Sequence, residues 1–413
     1  MSSIAKIVYK PHPVQRKFHN SKARFRLFLA GRRSGKTFAA AFEAIKMVIK
    51  NPNGRGWIVA PNYPVATVAW EEFLKVIEPL RKQDPKFVTE INKANRSITF
   101  RNGHKVECKS AHNPDGLVGA KLHWLWVDEA ALVSEATWDI IRPCLMDYQA
   151  PAIFTTTPRG KNWIWKLYGL CLEKDKKQYE VFHCSTYNNP YIAREEIEDL
   201  AKDYSQLMFK QEIMAEFLDE NSQVFKGVEA QAIGDFEPPI AGEKYFMGVD
   251  LARHNDFTVL TIIRKSTGNV VAFKRFTDTA WSLQKKQIKV LASAYNAEVF
   301  IDSTGIGDPV AEDLKKDGLR IHGIKFTNSS KQNMIENLVI KIEQGQITYP
   351  KIQELIFELN SYEMEITNAG NIRYNAPDRE GFHDDCVISL ALAALALQKP
   401  TNKMMVFKGG EIR

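Results

Sequence analysis

The chain has 413 residues, 44% of them hydrophobic and 25% charged, which is the composition of a soluble globular protein and more chain than one ordinary core absorbs. No stretch approaches the roughly 18 unbroken apolar residues of a membrane span, and the opening MSSIAKIVYKPHP has no secretory apolar run. Five dispersed cysteines, Cys108, Cys144, Cys171, Cys184 and Cys386, suggest core thiols rather than a zinc site or a disulfide framework, while the net charge of +7 leans toward a polyanionic partner. Two domains in the cytoplasm are expected.

The first half alternates apolar runs with helix-like segments. FRLFLA (25–30) leads through a Gly-rich turn into TFAAAFEAIKMVIK, and GWIVA (56–60) leads into PVATVAWEEFLKVIEPL. LHWLWVD (122–128), PAIFTTT (151–157) and YEVFHCS (179–185) follow, mostly separated by segments such as TWDIIRPCLM and NWIWKLYGLCL. This pattern predicts an α/β fold with a largely parallel sheet covered on both faces. SITFRNGHKVECKS is the exception and reads as a hairpin turning at Asn102-Gly103.

After the amphipathic SQLMFKQEIMAEF (205–217) the pattern thins, passing Pro238-Pro239 and Gly242. The expected division is a first domain at 1–220, a linker at 221–242 and a second domain at 243–413. The second half opens with YFMGVD (245–250), FTVLTIIRK, a turn at STGN (266–269) and VVAFKRF, three antiparallel strands. A helix over SLQKKQIKVLASAYN, a parallel strand EVFID (298–302) and a closing helix DDCVISLALAALAL (384–397) give the order of an RNase H-like fold.

Ala30-Gly31-Arg32-Arg33-Ser34-Gly35-Lys36-Thr37 lies between an apolar strand and a helix, the context that makes a Walker A loop meaningful. Glycine lets the backbone amides close on the phosphates of ATP, Lys36 reaches the outer phosphates and the Thr37 hydroxyl is placed for Mg²⁺; Ala30 stands where the common pattern has Gly. LHWLWVDEA ends a second apolar strand in Asp128, for the Mg²⁺ shell, and Glu129, to orient or deprotonate water. Gln15, about twenty residues before the loop, is a candidate reader of the adenine edge. Thr155, Thr156 and Thr157 end the next strand, where hydroxyls can sense the γ-phosphate, and Arg159 is a candidate charge sensor.

Asp250 ends the first strand of the second half, Asp302 ends the fourth, and Asp384 and Asp385 start the last helix. Each alone could be a turn former or a cap. Together they outline an oxygen cage for two Mg²⁺ or Mn²⁺ ions roughly 4 Å apart, the arrangement that cleaves phosphodiesters. Asp256 and His383 are candidate outer groups. Because the residue at a helix start tends to spend its carboxylate on free amides, Asp385 is expected as the direct ligand and Asp384 as cap or second contact.

GRRSGKT, WIVAPNYP, LHWLWVDEAA, TTTPRGKNW, NNPYI, FKQEIMAEF, GVDLARHNDFT, FIDSTGIGDP and FHDDCVISLALA, in this order, resemble the large terminase subunits of tailed phages over nearly the whole chain. The resemblance implies an N-terminal ASCE-type P-loop ATPase domain and a C-terminal RNase H-like nuclease domain. It implies ATP-driven movement of double-stranded viral DNA into procapsids and cutting of concatemers in the host cytoplasm. The implied partners are a small terminase subunit that chooses the DNA, the portal protein, and further copies of the chain in a ring. By position it assigns Lys36 and Thr37 to nucleotide binding, Asp128 and Glu129 to Mg²⁺ and hydrolysis, Thr155 to Thr157 to coupling, and Asp250, Asp302, Asp384 and Asp385 to the nuclease metals.

Two departures stand out. Many relatives carry Arg just before the Gly that precedes the second Walker strand, where this chain reads Gly116-Leu117-Val118-Gly119, so an arginine given to a neighbour's ATP must come from elsewhere. The tail after Lys399 is short, which does not favour portal docking through a long tail. A helicase or repair ATPase would share the Walker motifs but needs no acid cage, and a scaffold with an inactive nuclease domain would not cut DNA.

Overall fold

The computed structural model describes residues 9–218 apart from Lys174, and 224–252, 257–277, 279–304, 307–366, 372–376 and 383–397. The chain divides into two compact units, one drawn mainly from the residues up to 220 and one mainly from those that follow.

The first unit runs α1 (Pro13–Asn20), β1 (Phe25–Ala30), α2 (Lys36–Lys50), β2 (Arg55–Ala60), α3 (Tyr63–Gln83), β3 (Val88–Asn92), β4 (Ser97–Phe100), β5 (Lys105–Ser110), β6 (Trp124–Asp128), α4 (Glu135–Ile141), β7 (Ala152–Thr156), α5 (Trp163–Leu172), β8 (Tyr179–Cys184), α6 (Arg194–Ala201) and α7 (Gln206–Glu212). Its eight-stranded sheet has the order β3-β4-β5-β2-β6-β7-β1-β8. All pairs from β5 to β8 are parallel, whereas β3, β4 and β5 pair antiparallel, with the turn between β4 and β5 containing Gly103 at φ +78°. The unbroken apolar runs are explained by coverage on both faces. Alternate residues of β1 part company, Phe28 and Ala30 packing with Ala40, Ala44 and Phe73 from the helices α2 and α3, and Leu27 and Leu29 packing with Leu145, Trp163 and Ile164 on the other side.

The second unit contains α8 (Val228–Gln231), β9 (Tyr245–Asp250), β10 (Thr258–Arg264), β11 (Val270–Phe276), α9 (Trp281–Tyr295), β12 (Glu298–Asp302), α10 (Gly307–Lys316), β13 (Ile321–Ile324), α11 (Asn328–Glu343), α12 (Gln353–Ser361), β14 (Glu363–Ile366), β15 (Ile372–Asn375) and α13 (Asp385–Leu395). The five-stranded sheet has the order β11-β10-β9-β12-β13, antiparallel through β9 and parallel beyond it. One face packs Met247, Val249, Leu260 and Ile262 against Ile288 of α9 and Leu314 of α10. The other lies under α13, which approaches so closely that a Cβ on Gly248 would sit 1.9 Å from the Ser389 carbonyl oxygen. The Ser389 hydroxyl donates to the Gly248 carbonyl at 3.0 Å, fixing the helix over the strand that ends in Asp250.

The stretch expected as a linker is, over 224–242, built into this unit. Phe225 and Val228 are buried, the Tyr349 hydroxyl donates to the Val228 carbonyl at 2.8 Å, the Gly234 amide donates to the Tyr349 carbonyl at 2.9 Å, and Arg264 pairs with Glu237 at 2.6 Å. No described helix is long and apolar enough to cross a membrane.

Candidate active sites

The first site lies at the ends of β1, β6 and β7, which their registers place at one edge of the sheet: Phe28 and Asp128 both pair with Thr155. An open parallel sheet binds ligands at the carboxyl ends of its strands. The loop after β1 is held in shape from outside. The carbonyls of four consecutive residues accept from four different side chains: Arg32 from the Thr186 hydroxyl at 2.8 Å, Arg33 from Asn189 Nδ2 at 2.6 Å, Ser34 from His12 Nε2 at 3.1 Å, and Gly35 from Gln15 Nε2 at 3.1 Å. Gly31 has no alternative, because a Cβ there would lie 2.4 Å from the Ile213 carbonyl oxygen. Arg33 and Gly35 take positive φ, +58° and +87°. With these carbonyls engaged, the first-turn amides of α2, which lack helical acceptors, remain for an anion. The buried Ser34 hydroxyl has no partner among the described residues, as expected of a group awaiting a phosphate oxygen.

Lys36 Nζ lies 3.2 Å from Glu129 Oε1 and donates to the Thr157 hydroxyl at 3.2 Å. The Thr37 hydroxyl donates to Asp128 Oδ1 at 3.3 Å, and Thr155 donates to the same oxygen at 2.6 Å. Burial, helped by the Glu129 charge, pushes the Asp128 carboxyl up to about 7, against Thr155, Lys36 and Thr37. A divalent cation at that oxygen would relieve the burden, so the donors fit Mg²⁺. Thr156 accepts from the Ala131 amide at 3.1 Å, so the three threonines touch three different parts: Asp128, the chain after Glu129, and Lys36. Gln15 spends both ends of its amide locally, since its Oε1 also accepts from the His12 amide at 3.1 Å. Arg32 Nε pairs with Glu212 Oε2, and Arg159 Nη2 lies 3.0 Å from Glu212 Oε1, so one fully buried carboxylate holds both arginines. His12, Thr186, Asn189 and Glu212 were not singled out in the sequence as groups serving this loop; NNPYI and FKQEIMAEF were the only signals near three of them.

In the second unit, β9 and β12 pair with Phe300 beside Gly248 and Ile301 beside Val249, so Asp302 follows next to Asp250 at the sheet edge. The Asp302 carboxylate accepts from the Thr304 amide at 2.8 Å. Asp385 Oδ2 accepts from the Phe257 amide at 3.3 Å and lies 3.8 Å from His383 Nδ1. Asp384 Oδ2 accepts from Lys331 Nζ at 3.0 Å and from the Tyr362 hydroxyl at 3.3 Å. Burial, then the charges of Asp385, Asp384 and Asp302, raise the Asp250 carboxyl well above its ordinary range, with Lys331 opposing. Among the described residues no three such side chains converge on one point as they stand. The mutual repulsion is nonetheless what a hard divalent cation with oxygen ligands would cancel, and the donor set fits one. Asp256 lies outside the described residues.

Of the two alternatives for Asp384, cap or second metal contact, the structure corrects the first. Asp384 occupies the N-cap of α13 but makes no capping bond. Its carboxylate is held by Lys331 and Tyr362, and the helix amides of Cys386 and Val387 go to Glu358 Oε2 at 2.7 and 3.3 Å instead. Lys331, Glu358 and Tyr362 were missed because they lie far from the acids in the chain and in no motif.

Residues 27–232 match the family profile described as "Terminase large subunit, T4likevirus-type, N-terminal", and residues 247–397 match "Terminase RNaseH-like domain". The large terminase subunit of Thermus virus P23-45 is 29% identical, covering 93% of this chain and 87% of its own length. That of Escherichia phage T5 is 26% identical over 66% of this chain and 62% of its own. In fold, the chain is similar to a large terminase from a thermophilic bacteriophage, with a TM-score of 0.59 at 15% identity, covering 94% of this chain and 100% of that one. With an ATPase-type domain followed by an RNase H-like nuclease domain, both in the form its relatives carry, the chain belongs to the large terminase subunits of tailed phages.

Proposed function

We propose that the loop at Gly31–Thr37 binds and hydrolyses ATP to drive double-stranded viral DNA into a procapsid, and that Asp250, Asp302, Asp384 and Asp385 cut the same DNA. The observation that carries the first part is the meeting of Thr37 and Asp128 at 3.3 Å beside Lys36, a hydroxyl and a carboxylate aimed at one place next to a phosphate-ready loop. Lys36 binds the outer phosphates, Thr37 and Asp128 hold Mg²⁺, and Glu129 positions the attacking water and takes its proton. Thr155, Thr156 and Thr157 pass the state of this site to the strand between Asp128 and the loop. Gln15 acts by holding the Gly35 carbonyl, with Thr186, Asn189 and His12 as its companions.

In the second unit, divalent ions held by the four aspartates would activate water and stabilise the leaving oxygen. Asp385 is the favoured direct ligand with Asp250 and Asp302, and Asp384, which also pairs with Lys331, is the second contact. The small terminase subunit, the portal and further copies of this chain in a ring are the partners this function requires. The test is packaging with purified empty capsids: DNA should become protected from added nuclease only when ATP is present, and protection independent of ATP would overturn the reading.

A further inference from the structure

A helix that begins with two aspartates ordinarily consumes one of them. An Asp at the N-cap accepts from the amides two and three residues on, which otherwise have no acceptor. In α13 those amides belong to Cys386 and Val387, and both donate to Oε2 of Glu358, at 2.7 and 3.3 Å. Glu358 is only 3% exposed. Asp384, at the N-cap with φ −124° and ψ 10°, makes no capping bond and accepts instead from Lys331 and Tyr362. Tyr362 follows Glu358 by four residues, at the end of α12. One helix therefore both caps α13 from outside and steadies the acid that would otherwise cap it.

We propose that Glu358 is a positioning residue of the nuclease centre: by capping α13 in place of Asp384, it keeps the helix-start carboxylates available to the edge where Asp250 and Asp302 end. The inference rests on the reading of those four acids as ligands of divalent ions. Loss of a cap that served only helix stability would lower the unfolding temperature and leave metal affinity alone. A cap that frees a ligand acts on affinity, as supporting hydrogen bonds around metal sites commonly do by 10–100-fold.

The comparison is between full-length Glu358→Gln, which keeps an acceptor oxygen, and Glu358→Met, which has similar length and none. Mn²⁺ binding is measured by calorimetry, with thermal unfolding and ATP hydrolysis as controls of folding. Glu358→Gln should bind Mn²⁺ within about threefold of the unaltered protein and Glu358→Met about tenfold more weakly. Adding Asp384→Asn should weaken binding in the unaltered protein but change little in Glu358→Met, where Asp384 has turned to the helix, so the two effects should not add. Equal affinities in the Gln and Met variants, or additive effects with Asp384→Asn, overturn the inference. If the Met variant misfolds, Glu358→Ala gives the same comparison. A protein that binds no Mn²⁺ before any substitution and leaves plasmid DNA uncut refutes the nuclease reading itself, a result distinct from failure of the positioning role.

Discussion

The Lys36 ammonium and the Glu129 carboxylate lie 3.2 Å apart, so the residue proposed to take phosphate is paired with the residue proposed to position water. Outer phosphates would draw Lys36 away and leave Glu129 to the water. Lys36→Ala should therefore weaken ATP binding, whereas Glu129→Gln should bind ATP at least as well and lose turnover by about 100-fold or more. Nucleotide titration and phosphate release measure the two quantities separately, and equal loss of binding in both variants would contradict these roles.

The four side chains on the loop carbonyls predict a shared phenotype. Asn189→Ala and Thr186→Val each remove one hydrogen bond to the loop and should weaken nucleotide binding by about five- to tenfold, while metal-dependent DNA cutting stays unchanged. Gln15→Ala separates holding the loop from reading a base. If Gln15 acts only on the Gly35 carbonyl, ATP and GTP lose affinity by the same factor; a loss confined to ATP would restore the adenine reading.

Glu43 sits buried on α2 between His19, Arg26 and Lys46. Burial pushes its carboxyl up, but these three partners outweigh burial and hold it down at about 2, against an ordinary 4.5. A group depressed in the folded state stabilises fully above its unfolded value and loses that contribution as pH falls through its folded value. The window is thus pH 4.5 down to 2. Glu43→Gln should lower the stability of the first unit near pH 7 by up to about 3 kcal/mol. Denaturant midpoints should show this gap narrowing between pH 4.5 and 2, and a gap independent of pH would rule the ion cluster out as its source.

The contacts of residues 224–242 bear on where the second unit can be severed. A fragment of residues 221–413 keeps Phe225, Val228 and the Gly234–Tyr349 bond, and a fragment of 243–413 exposes the surfaces they cover. Thermal unfolding should find the longer fragment several degrees more stable, since burial of side chains such as Phe and Val is worth about 1.5–3 kcal/mol each. Equal melting points would mean this segment contributes nothing to the fold.

The strands that carry the chemistry are legible because six-residue, mostly apolar runs that end in Asp or run into Gly admit few other readings, as in FRLFLA before Gly31 and YFMGVD. β3 is not, since VTEIN is an edge strand with no fully buried position and no clean alternation. The linker reading followed Pro238, Pro239 and Gly242, which do break periodicity, but isolated anchors such as Phe225 hold a segment down without any period. Among site residues, Lys36, Thr37 and Asp128 came together as their motifs imply. Thr186, Asn189, Lys331 and Glu358 act across long separations in the chain, through single side-chain bonds that no local spacing encodes.

The central claim is that one chain carries two chemically separate centres, a motor at Lys36 and Glu129 and a cutter at Asp250 and Asp385. The direct measurement compares full-length Glu129→Gln and Asp385→Asn in two assays: Mn²⁺-dependent cutting of plasmid DNA, and ATP-driven packaging of linear DNA into purified empty capsids. The account predicts that Glu129→Gln cuts and does not package, while Asp385→Asn packages linear DNA and does not cut. Loss of both activities in either well-folded variant, or retention of cutting by Asp385→Asn, would contradict it.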